Sequence, residues 1–75
     1  MTDLKRLEGV FVDLGVPYEP GADFAAGAVL GCPASARKDL CVGIESFVFD
    51  EQGAFLGVAD WEFMFFKPRV NSSPL

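Results

Sequence analysis

Apolar positions along the chain follow two different spacings. Between residues 3 and 14 they recur at steps of three and four: Leu4, Leu7, Phe11 and Leu14, with Val10 on the same flank. That spacing predicts an amphipathic helix over Asp3 to Leu14. Thr2 or Asp3 can cap its start, and the Asp3 charge suits the positive end of the helix dipole. Gly15 stands at the usual C′ position and Pro17 prevents continuation. Gly9 weakens the helix by up to about 1 kcal/mol against Ala, so tertiary packing must stabilise it.

The second half reads as strands. Leu40 to Phe49 and Ala54 to Phe65 are rich in aromatic and β-branched residues, which suit a pleated, half-buried surface. Between them lies Asp50-Glu51-Gln52-Gly53. An Asp opening a turn bonds to the backbone two residues on, and a Gly closing it accepts positive φ. A hairpin is predicted there, with Phe49 across from Phe55 and Val48 across from Leu56. The short run Ala28-Val29-Leu30, inside the small apolar stretch Phe24 to Cys32, predicts a third strand. Val16 to Asp23 is a connection broken by two prolines and a glycine, Pro33 to Lys38 a polar turn, and Pro68 to Leu75 a frayed Pro/Ser-rich tail.

The expected fold is therefore α+β: one N-terminal helix packed on a three-stranded antiparallel β-meander, as a single domain over residues 1–75. Alternation places Phe47, Phe49, Phe55 and Trp61 on one sheet face. The other carries Ile44, Val48, Leu56 and Val58, with Asp60 and Glu62 on the same side. One helix covers only one face. The second face is then expected to stay apolar and wet, which is the mark of an interface.

Composition narrows the function. Seventy-five residues allow one small core, and eight Phe with one Trp give it large side chains. The net charge of −5 argues against direct binding to nucleic-acid phosphates. The six bases fall in three groups: Lys5-Arg6, Arg37-Lys38, and Lys67 with Arg69. Between Asp39 and Phe66 stand six acids and no base. An acidic surface of this kind either keeps a domain soluble or meets a basic partner. The N-terminus is polar, with acids before any apolar run, and no stretch is long enough to span a membrane, so a cytoplasmic location and no membrane partner are expected.

Catalytic chemistry finds few candidates. Histidine is absent, which removes the commonest general base and metal ligand. Cys32 and Cys41 lie nine residues apart with no further soft ligand, against a zinc site and against His-assisted thiol catalysis. Buried thiols are favoured over a disulfide in a cytoplasmic setting. The carboxylate pairs Asp50/Glu51 and Asp60/Glu62 read as solvated, on a turn tip and on an open strand face, rather than as a glycosidase pair. No glycine pattern forms a phosphate loop, and the Phe set reads as core rather than as a base-stacking platform. No cofactor, metal or catalytic residue is expected.

Leu14 to Tyr18 (LGVPY) and Phe47 to Leu56 (FVFDEQGAFL) together make up about a fifth of the chain. In these stretches the chain resembles small phage and prophage accessory proteins that pair a short N-terminal helix with a β-meander. Some small acidic members of that class are anti-CRISPR proteins, which bind a host complex on the basic surface meant for DNA. The resemblance implies a non-enzymatic inhibitor in the host cytoplasm whose acidic surface blocks a nucleic-acid-binding site on a host protein complex. The acids nominated for that surface are Glu45, Asp50, Glu51, Asp60 and Glu62. The alternative is an assembly protein that forms a homodimer through the apolar second face.

Overall fold

The computed structural model describes residues 1–21 and 24–69. An N-terminal helix α1 (Asp3–Leu14) precedes five strands: β1 (Glu19–Gly21), β2 (Ala36–Val42), β3 (Glu45–Asp50), β4 (Phe55–Asp60) and β5 (Phe65–Pro68). They form one antiparallel sheet in the order β1-β2-β3-β4-β5. The α+β class stands, with five strands in place of three.

Helix α1 keeps the predicted bounds. The Thr2 hydroxyl accepts from the Lys5 N–H at 3.2 Å, and Gly15 closes the helix in the left-handed region, its N–H bonding to the carbonyls of Phe11 and Val12. Leu4, Leu7 and Phe11 face the sheet, while Leu14 is exposed rather than part of the buried stripe.

Two turns divide what reads as two long strands. Gly43 and Ile44 reverse the chain between β2 and β3, and residues 61–64 reverse it between β4 and β5. Neither carries a polar turn cluster. Gly43 takes φ 62°, and the Asp60 side chain supplies the second turn by accepting from the N–H groups of Glu62 and Phe63. The expected strand at Phe24 to Cys32 is instead a 3-10 turn at Ala26–Ala28, then a single residue, Leu30, bridged in parallel to Phe65. Ala and Gly give little side-chain packing to a strand, and this segment crosses the sheet as a cover. Strand order also begins earlier than expected at Ala36, inside the supposed polar turn, with a register shift before Lys38. Glu19–Gly21, read as a connection, pairs with β2 as a short edge strand that tolerates Pro20. Pro68 closes β5 instead of opening a tail; the rest of that tail, residues 70–75, lies outside the described residues.

Phe49 lies across from Phe55, as the turn predicts, but Val48 lies across from Gly57 rather than Leu56. A register shift at this point leaves Leu56 unpaired and inverts the assignment of the residues beyond it. Val58 pairs with Phe47, and Trp61 packs on the opposite side, with Phe24, at a ring distance of 5.7 Å.

Each sheet face has its own core. Under α1, Phe11, Leu40 and Phe49 are buried, with Leu4, Leu7, Tyr18, Phe47 and Phe55 around them. On the second face, Val29, Ala36, Val48, Ala59 and Phe66 are buried beneath Phe24, Ala26 and Cys32. The second face is thus covered by the chain's own residues 24–32, contrary to the expectation that it stays open. Burial of Phe49, Leu40 and Val48, the largest apolar side chains fully enclosed, contributes about 1.5–3 kcal/mol each.

Candidate partner-binding surface

The nominated acids do not form one row. Glu45 opens β3 and lies across from Asp60, which closes β4; Glu62 follows in the next turn. These three gather at one end of the sheet. Asp50 and Glu51 lie at the other end of β3, about 17 Å away at strand rise. There they share a small cavity of about 210 Å³ with Ser35, Gln52 and Arg37, so a base stands beside them.

Asp50 and Asp60 also have structural duties. One Asp50 oxygen accepts from the N–H groups of Gln52 and Ala54, both at 2.9 Å. One Asp60 oxygen accepts from Glu62 at 2.8 Å and Phe63 at 3.2 Å. The Asp50 bond to Gln52 is the one its turn position predicts, the Asp60 bonds are unexpected, and Asp60 and Glu62 do not share a strand face, because Glu62 lies in the turn after β4.

The end that carries Glu45, Asp60 and Glu62 holds something the sequence pattern hid. Leu30, Ile44 and Phe63 are 79%, 53% and 69% exposed, and Met64 is 41% exposed. Backbone bonds bring them together. The Trp61 N–H donates to the Ile44 carbonyl at 2.9 Å, the Leu30 N–H to Met64 at 2.8 Å, and the Phe66 N–H to Leu30 at 2.9 Å. Four large apolar side chains therefore share one tip with three carboxylates. Met64 adopts φ 58°, the sole positive φ outside glycine among the described residues. That conformation costs an L-residue roughly 1–2 kcal/mol, and strain of this kind concentrates where a site is held ready.

The tip is anchored from below. The Trp61 indole N–H donates to the Ser46 hydroxyl at 2.6 Å, Ser46 contacts the Cys41 sulfur at 2.9 Å, and the Cys41 thiol donates to Asp39 at 3.3 Å. Ser46 and Asp39 are buried. Burial pushes the Cys41 thiol above its ordinary value; the Ser46 bond lowers it, and Asp39 and Glu19 raise it again. Burial alone raises Cys32. Both cysteines are free and half-buried, and as neutral thiols they pack rather than attack. No side-chain polar atom buried among the described residues lacks a hydrogen-bond partner, and no group of three or more His, Cys, Asp or Glu there is placed to hold a metal ion. Among the described residues no helix is long and apolar enough to cross a membrane.

No family model, curated protein or solved structure matches this chain.

Proposed function

We propose that the protein is a non-enzymatic protein-binding module that docks through the tip formed by Leu30, Ile44, Phe63 and Met64, rimmed by Glu45, Asp60 and Glu62. The observation that carries this reading is that exposed apolar side chains and carboxylates lie at one end of the sheet, on two turns and on Leu30 bridged beside β5. Interface centres are enriched in aromatic residues and Met, and a charged rim adds association rate and partner choice. The complementary partner has an apolar pocket bordered by Lys and Arg. The Lys and Arg of such a border also suit nucleic-acid phosphates, so the finer proposal is an inhibitor of the anti-CRISPR type that occupies such a site. Asp50 and Glu51, beside Arg37, fall outside this docking surface.

A homodimer through the second sheet face has little support, because residues 24–32 pack over that face.

The experiment is capture of host proteins on the immobilised domain, followed by competition with nucleic acid on each captured protein. Wild type should displace the nucleic acid. Phe63→Ser should fail to, and Glu45→Lys with Glu62→Lys should weaken displacement most at low salt. A captured partner that binds nucleic acid equally well with and without the domain overturns the inhibitor reading. Full competition by both variants overturns the tip.

A further inference from the structure

The helix side of the sheet holds a second surface, independent of the tip. Helix α1 starts above the β3–β4 turn, where the Leu4 N–H bonds to the Gly53 carbonyl at 3.0 Å. Its far end leads through Val16 and Tyr18 into β1, at the opposite edge of the sheet. It therefore runs off the β3–β4 half and leaves a groove of about 580 Å³ there. Phe47, Phe49, Phe55, Leu7 and Val10 line it, together with Asp3, Arg6 and Arg69. The floor is aromatic and continuous: Phe47 and Phe49 each pack against Phe55, at ring distances of 6.4 and 5.7 Å. The volume falls within the range of small-molecule sites.

The charges at the rim choose the ligand. Asp3 is already engaged, accepting from the Phe55 N–H at 2.9 Å. Arg6 comes from the helix and Arg69 follows β5, with its N–H fixed on the Leu56 carbonyl at 2.8 Å. Among the described residues the ion pair is Lys5–Glu8, so neither guanidinium has a carboxylate partner there. Two of the six bases in a chain of net charge −5 thus stand over one apolar groove. A bare anion would leave the aromatic floor wet, and a neutral hydrocarbon would leave the guanidiniums unused. We infer that the groove binds a medium-chain alkanoate, with its alkyl chain on Phe47 and Phe55 and its carboxylate between Arg6 and Arg69.

The 75-residue chain is titrated with decanoate, octanoate and decyltrimethylammonium, each below its micelle concentration, and followed by amide chemical shifts. Saturable binding of decanoate should move Leu7, Val10, Phe47, Phe55 and Arg69. Octanoate should bind about fifteenfold more weakly, since a buried methylene contributes about 0.8 kcal/mol, or fourfold, per CH2. Decyltrimethylammonium should bind at least about tenfold more weakly than decanoate, as should decanoate to Arg6→Gln/Arg69→Gln. Val10→Glu, at an exposed helix position, should abolish decanoate binding with the helix intact. Phe63→Ser should bind decanoate like wild type. Equal affinity for the cationic and anionic amphiphiles, indifference to chain length, shifts confined to the tip, or no saturable binding would each overturn the site.

Discussion

The two ends of the β3–β4 hairpin use the same device and end in different states. At each, an aspartate closes a strand and its side chain accepts from two backbone N–H groups of the following turn. The Asp50 turn is roofed by the start of α1: Leu4 donates to Gly53, Asp3 accepts from Phe55, and a Cβ on Gly53 would lie 2.9 Å from the Thr2 Cβ. The Asp60 turn is packed by Phe24 at Trp61 and bonded to Leu30 at Met64, yet it leaves Phe63 and Met64 exposed. A turn of small and polar residues whose Gly53 is buried against a helix end is a structural joint. The Asp60 turn joins β4 to β5 and seats Trp61, but the exposure of Phe63 and Met64 serves neither task, and this contrast supports the proposal that the tip docks.

The largest effect should come at the roofed end. Gly53 sits at φ 83° and has no room for a side chain. Gly53→Val combines an unfavourable backbone region, pressure on the helix cap and overpacking, and should destabilise by about 3 kcal/mol. That is a large share of the roughly 4–11 kcal/mol expected for a domain this size. Urea midpoints read the loss, and a change below about 1 kcal/mol would remove the distinction between the two ends.

At the open end, loss of the Asp60 side chain should matter less. Asp60→Ala removes two turn bonds and should cost about 1–2 kcal/mol. Asp60→Asn keeps the acceptor oxygen and should cost under about 0.5 kcal/mol. Equal losses for the two would mean that charge, not the turn bonds, stabilises this end. The pair also separates folding from docking, because Asn removes one rim charge while the turn stays in place.

Why one end was legible and the other was not follows from where the information lies. Thr2, the 3–4 spacing of α1, Gly15 and Asp50 with Gly53 act within a few residues, and the helix bounds, its caps and the turn appear as predicted, whereas Leu14 and Val10 are exposed and the register beyond Phe49 shifts. Ile44, Trp61, Phe63 and Met64 look like strand residues, and only the Asp60 side chain and Gly43 turn the chain there. The cover formed by Phe24, Ala26 and Val29 is a long-range packing result with no local signature. The groove depends on the direction of α1, set by contacts such as Asp3 to Phe55, 52 residues apart. The five nominated acids fall at two ends of the sheet because β3 separates them by the length of a strand.

A smaller effect, of opposite sign, is expected at Met64. Its φ of 58° costs an L-residue roughly 1–2 kcal/mol, whereas glycine takes it freely but loses more chain entropy on folding. Met64→Gly should therefore stabilise by about 0.5 kcal/mol while weakening capture of the partner. Gain of stability with loss of binding would mark strain kept for docking. Unchanged binding would confine the docking contacts to Phe63, Ile44 and Leu30.

The smallest effect concerns the anchor beneath the open end and appears only in alkali. The Cys41 thiol, ordinarily near 9.0, is raised in the fold, first by burial and then, against the lowering effect of Ser46, by Asp39 and Glu19. The native state therefore holds this proton more tightly than the unfolded chain does. Its contribution is whole below the unfolded value and falls as pH rises through that value toward the native one. Cys32 is raised by burial, and Tyr18 by desolvation and its bond to Glu8, so both slope the same way, Tyr18 from about 10.0 upward. Urea midpoints should thus be level from pH 7 to 8 and decline above pH 9. Cys41→Ser keeps a donor and an acceptor for Asp39 and Ser46 but does not titrate in this range. It should flatten part of the decline and leave the portion due to Cys32 and Tyr18. Trp61 fluorescence should report the same step, because its indole N–H rests on Ser46 in that network. An alkaline decline identical in wild type and Cys41→Ser would show that the tip is not held through Cys41.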